Sequence, residues 1–280
     1  MASLEVPNKY LALAPIVVTS PTARCGTTLV QRLLTASANG FVFGEEVGNQ
    51  VRVLTSWFVG EMQRVDRSGA AMDEEFKQAL EGRPADWRPG LLPPSSVLMK
   101  AWVETYYQLP SVLAQYADSI GRPMWGFKYP GLTRDAIKAQ LQLMPRTKVV
   151  YVFRNLYDVL KSAKARRFVN TPEETVEFCA QWATNMNEIA PLVGDERIVF
   201  LKYEDFVGQR VEHIRFLEER LGVTGLDAGV FDAKINTFKG AETGGFSPSG
   251  YIEPAALSEQ DRTTISETAG PVLERLYDAA

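Results

Sequence analysis

The sequence predicts an α/β fold in which helices cover both faces of a central parallel sheet. Short apolar runs rich in β-branched residues recur along the chain, each bounded by polar residues. Runs that are apolar at every position are typical of strands buried on both faces. Segments with helical periodicity lie between them, which is the order of β-α-β units. With 280 residues, 45% of them hydrophobic, the chain can bury a large core, and we expect a single domain over residues 1–280.

The predicted strands are the runs 14–20, 125–130, 148–154 and 197–206. The predicted helices cover 27–38, 47–65, 95–118, 156–168, 172–191 and 205–221, and a last helix covers 255–278. One helix start is especially well marked, because Thr171 can cap it, Pro172 suits its first turn and Glu174 completes a capping box. Two segments rich in proline and glycine, 81–96 and 238–254, are predicted to be loops.

Composition argues against several classes of protein. Thirty basic and 34 acidic residues give a net charge of −4, which argues against a general affinity for nucleic acid or anionic membranes. The two cysteines, Cys25 and Cys179, form no disulfide framework and have no metal-ligand spacing. No apolar run approaches the roughly 20 residues of a membrane helix, and the first residues lack a leader pattern. We therefore expect a soluble, cytoplasmic protein without a metal site, of unknown oligomeric state.

Residues 20–30, SPTARCGTTLV, join the first predicted strand to the first long helix and have the features of an anion-binding loop. Backbone N–H groups at a helix start point into such a turn and attract anions. Gly26 allows close backbone approach, while Thr27 and Thr28 add hydroxyl donors. A nucleotide-hydrolysing phosphate loop has a lysine directly after its last glycine. Here Thr27 takes that position and the cation is Arg24, so a different anion, or an ordinary strand-turn-helix, is indicated.

The segment RCGTTLVQRLL resembles the 5′-phosphosulfate loop of sulfotransferases, which bind the sulfate donor 3′-phosphoadenosine 5′-phosphosulfate (PAPS). The resemblance implies a P-loop-type fold. It places around the phosphosulfate the loop residues Arg24, Cys25, Gly26, Thr27 and Thr28. Ala23 fills a slot usually held by proline, and Cys25 replaces the usual serine. Cysteine keeps its backbone N–H but loses a good hydroxyl donor.

A second motif of the same family follows a later strand. FRNLYDVLKSAKAR supplies Arg154 at the strand end, with Asp158, Ser162 and Arg166 at intervals of four on one predicted helical face. Arginine binds phosphate in bidentate fashion. The resemblance therefore implies that Arg154, Ser162 and Arg166 hold the 3′-phosphate, at a distance from Arg24. A solvated basic helix face is the alternative interpretation.

Further elements fit the order of the family's motifs. GFKYP resembles a strand that ends in lysine, with Lys128 at its tip. FLKYEDF resembles the Y-E-D segment, with Tyr203 placed to contact the nucleotide. Outside these motifs, SPSGYIEPAALS loosely resembles a nucleotide-covering loop of the tyrosylprotein branch, and the resemblance implies Ser249, in the predicted loop 238–254, as a further contact with the nucleotide. The resemblance depends on the joint occurrence of these motifs in family order over residues 14–206.

Sulfuryl transfer to a hydroxyl needs a base for the acceptor proton and cations for the developing charge. In the small-molecule cytosolic branch the base is a histidine two residues after the lysine, where this chain has Pro130. The one histidine, His213, lies in a predicted amphipathic helix. FGEEVGNQVR instead resembles the G-E-E segment of tyrosylprotein sulfotransferases, in which the second glutamate is the base. We predict Glu46 as the base, with Glu45 as the alternative if the register shifts by one; two solvated glutamates at a helix start are the other interpretation.

The resemblance to the tyrosylprotein branch weakens beyond the two glutamates. That branch holds acidic peptides with arginines; Gly48 takes the first of these positions, and only Arg52 matches the second. Acidic-peptide specificity therefore does not carry over. Aromatic residues that line either an acceptor pocket or the core are Trp57, Trp87, Trp102, Tyr106 and Tyr107.

Together these features predict a PAPS-dependent sulfotransferase. We expect in-line transfer of the sulfuryl group to a phenol, alcohol or tyrosine hydroxyl of a small molecule or peptide, with 3′-phosphoadenosine 5′-phosphate (PAP) as product. Glu46, Lys128 and Arg24 are the predicted catalytic residues, and no metal is required. The alternatives are a nucleotide-dependent kinase or NTPase with an altered phosphate loop, and a nucleotide-binding protein without catalysis.

Overall fold

The structure is a computed structural model that describes residues 6–83, 91–232 and 253–278. Its strands are β1 (Ile16–Thr19), β2 (Gly40–Phe43), β3 (Met124–Lys128), β4 (Lys148–Phe153) and β5 (Ile198–Lys202). All neighbouring pairs are parallel, and the strand order is β2-β3-β1-β4-β5. The predicted α/β class, with a central parallel sheet flanked by helices on both faces, is confirmed.

The helices before β4 are α1 (Asn8–Leu11), α2 (Thr27–Ala36), α3 (Glu45–Leu80), α4 (Ser95–Ser119) and α5 (Arg134–Leu143). The helices after β4 are α6 (Leu156–Ala165), α7 (Pro172–Ile189), α8 (Tyr203–Gly208), α9 (Arg210–Leu221) and α10 (Glu259–Leu273). A π-helical turn, Glu274–Asp278, continues α10. Over the described ranges, no helix combines the length and the apolar character that crossing a membrane requires.

Several helix boundaries differ from those predicted. The predicted helix 47–65 extends to Leu80, and the predicted helix 205–221 is divided into α8 and α9 because Gln209 leaves helical geometry at φ −118° and ψ 53°. The capping box predicted at Thr171 is present, since the Thr171 hydroxyl accepts from the Glu174 N–H while the Glu174 carboxylate accepts from the Thr171 N–H. Local cap chemistry therefore marks helix starts better than periodicity marks helix ends.

Two apolar clusters bury the two faces of the sheet. Val17 and Val149 point into the larger cluster, while Val18 and Val150 point into the smaller one, which α2 and α9 complete. Successive strand residues point to opposite faces, so these strands must be apolar at every position. This is the pattern that predicted them.

Strand β2, which the sequence pattern did not predict, forms one edge of the sheet. It has only four residues and lies directly before Gly44. Its outward backbone groups are bound by side chains of α2: the Val42 N–H donates to Thr35 Oγ1 at 3.2 Å, and the Val42 carbonyl accepts from Gln31 Nε2 at 3.0 Å. Such bonds protect a sheet edge from pairing with another chain.

Candidate active site

The predicted anion loop lies between β1 and α2, at the carboxyl edge of the sheet. Its backbone is held from two sides, because the Gly131 N–H donates to the Ser20 carbonyl at 2.8 Å and Asn185 Nδ2 donates to the Pro21 carbonyl at 2.7 Å. Arg24 and Gly26 both have left-handed backbone conformations, with φ of 75° and 104°. Left-handed geometry is costly for a residue other than glycine and persists where the surroundings enforce it. The loop is therefore built to a fixed shape.

Gly26 is required both by its backbone and by its neighbour. A Cβ at this position would lie 2.4 Å from Cδ2 of Tyr203, so the tyrosine ring packs directly on the loop. Gly26 is also the N-cap of α2 and supplies no side-chain cap. The Leu29 N–H donates to the Gly26 carbonyl at 3.0 Å, so the N–H groups of Thr27 and Thr28 are the ones that a ligand can use, as at other anion-binding helix starts.

The side chain of Cys25 turns away from the ligand side of the loop. It is fully buried, with its Sγ 3.8 Å from Thr22 Oγ1. Burial raises the pKa of the Cys25 thiol to about 11, so the thiol is protonated at neutral pH. Of the two threonines that follow Gly26, Thr27 is buried and Thr28 is exposed. Because its side chain is buried, Cys25 can contribute to an anion site only through its backbone N–H.

Lys128 ends β3 with its side chain almost fully enclosed. Its Nζ lies 2.8 Å from Glu45 Oε1 and donates to Thr28 Oγ1 at 3.2 Å. These contacts join three predicted site segments: the loop, the tip of β3 and the first turn of α3. The lysine is thus held in place, while its carboxylate partner remains half exposed.

The first turn of α3 packs tightly on the end of β3. A Cβ at Gly48 would lie 2.3 Å from the Lys128 carbonyl oxygen, so no side chain fits there without a backbone shift. With this backbone packing, position 48 therefore cannot hold an arginine. Arg52, one turn further, donates to Asn49 Oδ1 and lies over the Tyr129 ring at 5.4 Å.

The side chains of the two predicted glutamates point in different directions from the same helical turn. Both are exposed, and both lie in the first turn of α3, where acidic groups are favoured by the helix dipole. Glu45 contacts Lys128, and its charge partly opposes the decrease that burial and neighbouring arginines cause in the pKa of Arg24, so it lies near both predicted catalytic cations. Successive helical residues are about 100° apart around the axis, so Glu46 points elsewhere.

Arg24 lies among other cations instead of standing apart from them. Its Nε donates to Ser162 Oγ at 3.1 Å, and its guanidinium lies 5.8 Å from the Phe168 ring centre. Burial, followed by the charges of Arg166 and Arg154, lowers the pKa of Arg24 to about 10, against the opposing effect of Glu45. The residues predicted for a 5′ site and those predicted for a 3′ site, expected at a distance from each other, therefore lie side by side.

Arg154 completes this cluster from the end of β4. Its guanidinium lies over the Tyr203 ring at 4.5 Å, an arrangement that fixes the plane of the arginine. Its Nε is buried and makes no hydrogen bond within the described structure. Arg166, at the end of α6, is 2% exposed. The predicted residues Arg154, Ser162 and Arg166 are thus brought together with Arg24.

Several residues singled out in the sequence lie elsewhere. Asp158 forms an ion pair with Lys161 at 3.0 Å on the surface of α6. His213 lies on α9, where its ring meets the Phe206 ring edge to face at 6.0 Å. Ser249 and Trp87 fall outside the described residues, as do residues 238–252 of the predicted loop 238–254.

The aromatic residues considered for an acceptor pocket are mostly core residues. Tyr106 and Tyr107 are fully buried, and Trp102 is 9% exposed and meets the half-buried Trp57 edge to face at 6.4 Å. Across the residues that the structure describes, no group of three histidine, cysteine or acidic side chains is arranged to hold a metal ion.

Sequence reasoning missed Phe168 beside Arg24 and Asn185 beneath the loop. Neither lies in a motif. Phe168 follows the left-handed residue Arg167, which turns the chain after α6, and Asn185 reaches the loop from α7. No local signal could have found contacts between residues so far apart in the chain.

Comparisons with known proteins give a consistent set of matches. A family model described as "Sulfotransferase family" matches residues 15–227. The sulfotransferase domain of the Synechococcus PCC 7002 olefin synthase is 16% identical, with TM-score 0.49, and the match covers 90% of this chain and 94% of that domain. The sulfotransferase domain of the curacin biosynthetic pathway is 13% identical, with TM-score 0.48 and coverage of 91% and 97%. A sulfotransferase of Mycobacterium avium is 14% identical, with TM-score 0.47 and coverage of 96% and 77%. No curated protein matches the chain.

Proposed function

Since the chain belongs to the sulfotransferase family, we propose that it transfers a sulfuryl group from PAPS to the hydroxyl of an acceptor. One observation carries the choice of donor: three guanidiniums and a lysine converge on a glycine loop at the carboxyl edge of a parallel sheet. Ligands of open α/β sheets bind at this edge. A nucleotide with anionic groups at both its 5′ and 3′ positions would bring two negatively charged groups to these four cations.

The residues present fit such a donor. The N–H groups at the start of α2, with Arg24, suit the 5′-phosphosulfate, which supplies the sulfuryl group when the donor is bound. Arg154 has a buried Nε without a hydrogen-bond partner, and its guanidinium plane is fixed on Tyr203, so it suits the 3′-phosphate. Arg166 and Ser162 supply further donors beside it. The charges of Arg166 and Arg154 oppose that of Arg24 in this site. A dianionic ligand relieves this repulsion, so its binding is favoured more here than at a neutral site.

Lys128 and Arg24 act as the cations of the reacting centre. Lys128 reaches the loop through Thr28, so its ammonium can stabilise charge that develops on the transferring and leaving oxygens. Its partner Glu45 can be displaced by the donor. When an oxygen of the donor binds the Lys128 ammonium, the Glu45 carboxylate is freed beside the reacting centre.

A glutamate of the first turn of α3 is the proposed base, which takes the proton of the acceptor hydroxyl. The sequence predicts Glu46, with Glu45 as the alternative. The contact between Glu45 and Lys128 favours Glu45, because a base must lie beside the cation that stabilises the same transition state. We therefore propose Glu45 in this role, with in-line transfer to a phenol, alcohol or tyrosine hydroxyl.

We do not assign acidic-peptide specificity to the acceptor site. The packing of Gly48 on the end of β3 leaves no room for a peptide-binding arginine. The acceptor class is best found by assaying sulfate transfer from PAPS to phenols, aliphatic alcohols, sugars and tyrosine peptides.

A ligand comparison tests the function directly. PAP should raise the Tm of the protein by several degrees, because a ligand that binds only the native state stabilises it. ATP with magnesium should raise Tm far less, since Thr27 stands where a triphosphate-binding loop has its lysine. Stabilisation by ATP and not by PAP would favour a kinase or NTPase, and PAP binding without transfer to any acceptor would indicate a binding protein.

A further inference from the structure

The two residues directly after β5 contact the two residues directly after β4. The ring of Tyr203 lies under the guanidinium of Arg154, at 4.5 Å. The next residue, Glu204, accepts a hydrogen bond from the Asn155 N–H through its Oε1 at 2.9 Å. Arg154 is thus fixed at its guanidinium by one neighbour and at the following peptide group by the other.

The second carboxylate oxygen of Glu204 binds the last described turn of the chain. Tyr277, in the π-helical turn after α10, donates its hydroxyl to Glu204 Oε2 at 3.3 Å. The Lys202 ammonium lies over the Tyr277 ring at 4.4 Å. Burial and the Glu204 carboxylate both raise the pKa of Tyr277 well above its ordinary value, so the hydroxyl remains a donor over the whole working pH range.

The position of Asn155 makes this contact relevant to ligand binding. Asn155 caps α6, since its Oδ1 accepts from the Tyr157 N–H at 3.0 Å. Helix α6 carries Ser162, and Arg166 follows its last residue. A carboxylate fixed on the Asn155 N–H therefore sets both the exit of Arg154 from β4 and the start of the helix that presents the other two groups.

The negative charge of Glu204 cannot be the reason why this residue lies beside Arg154. A carboxylate beside a site for phosphate lowers the affinity of that site through repulsion. Its hydrogen bonds, in contrast, orient the backbone next to Arg154. The two effects have opposite signs, so a charge-neutralising variant separates them.

We infer that Glu204 and Tyr277 are positioning residues for the 3′-phosphate, and that the turn after α10 reaches the donor site through them. The inference rests on the proposed function, in which Arg154 binds the 3′-phosphate. Neither residue touches the ligand. They act by holding Arg154 and the start of α6 in the arrangement that receives it.

The test compares PAP with adenosine 5′-phosphate, which lacks only the 3′-phosphate, by titration calorimetry. Glu204→Ala should weaken PAP binding about tenfold, as expected for loss of charge-assisted hydrogen bonds, and Tyr277→Phe about threefold. Binding of adenosine 5′-phosphate should change less than about twofold in both variants. Glu204→Gln should retain most of the PAP affinity, because its amide oxygen still accepts from the Asn155 N–H.

Two control variants remove similar bonds elsewhere. Glu218→Ala removes a carboxylate that accepts from the Leu226 N–H at 3.0 Å, and Tyr107→Phe removes a buried hydroxyl that donates to the Leu143 carbonyl. Both should leave PAP affinity unchanged.

The outcomes are distinct. Unchanged or tighter PAP binding by Glu204→Ala overturns the inference, and so does an equal loss of both ligands. Failure of the wild-type protein to bind PAP overturns the proposed function instead. If Glu204→Ala does not fold, Tyr277→Phe alone decides, through its ratio of PAP to adenosine 5′-phosphate affinity.

Discussion

The two halves of the site lie along the same sheet edge but differ in how they balance charge. On the binding side, defined by Arg154, Ser162 and Arg166, guanidiniums are crowded together with Arg24, and burial together with their charges lowers its pKa. On the reaction side, defined by Lys128, Thr28, Glu45 and Glu46, the lysine is paired with a half-exposed carboxylate.

This difference indicates a division of labour between affinity and chemistry. Uncompensated cations raise the affinity for an anion whether or not it reacts. A lysine whose partner carboxylate can be displaced stabilises charge only when the donor has taken its place. Substitutions on the binding side should therefore change nucleotide affinity, and those on the reaction side should change kcat.

The largest effect is expected for the base. Glu45→Gln should lower kcat by about 10³-fold, within the range for loss of general base catalysis. Affinity for PAP should stay equal or become slightly tighter, because glutamine no longer competes for the Lys128 ammonium. Steady-state kinetics with PAPS and PAP titration give the two values.

Glu46→Gln is the matched control, one residue along the same turn. It should lower kcat by less than about tenfold, because Glu46 points away from the Lys128 contact. The reverse ranking of the two variants would restore Glu46 as the base. A collapse of PAP affinity in either variant would mean that the glutamate binds nucleotide instead.

The next largest effect is expected at Lys128. Lys128→Ala should lower kcat by about 10²-fold, as for loss of one donor to a developing anion, with PAP affinity within about threefold of wild type. Lys138→Ala, an exposed lysine on α5, controls for the change of net charge. Sulfate transfer that survives intact in Lys128→Ala would contradict the proposed role.

On the binding side, Arg154→Ala should lower PAP affinity by about thirtyfold, the size expected for a charge-assisted bidentate contact. Affinity for adenosine 5′-phosphate and kcat at saturating PAPS should change little. Arg146→Ala, on an exposed turn before β4, is the control. Equal losses of affinity for both nucleotides would mean that Arg154 does not distinguish the 3′-phosphate and that the two halves are not separate.

The sequence was sufficient to predict the residues at the strand ends. Lys128, Arg154 and Tyr203 all follow apolar strands, and the carboxyl ends of parallel strands meet at one edge. Which strands neighbour each other could not be predicted, because short β2 was missed and register depends on long-range packing. The sequence alone could not decide between Glu45 and Glu46 for the same reason: one residue of slip rotates a helical side chain by about 100°.

The sequence also could not predict that the two proposed anion sites lie side by side. It depends on the left-handed backbone of Arg24, which directs the side chain towards Ser162. Left-handed geometry at a residue other than glycine is set by its surroundings and leaves no local mark in the chain.

The smallest effect is expected at Cys25, which lies beneath the junction of the two halves. Although the family usually has serine here, Cys25→Ser should change PAP affinity by less than about twofold, because the side chain faces Thr22 and the core while only the backbone N–H faces the ligand. The serine hydroxyl would be buried, so a loss of about 1 kcal/mol in unfolding free energy is expected, measured by urea denaturation. A large gain in PAP affinity would show instead that the side chain at this position reaches the phosphosulfate, and that the loop moves when the donor binds.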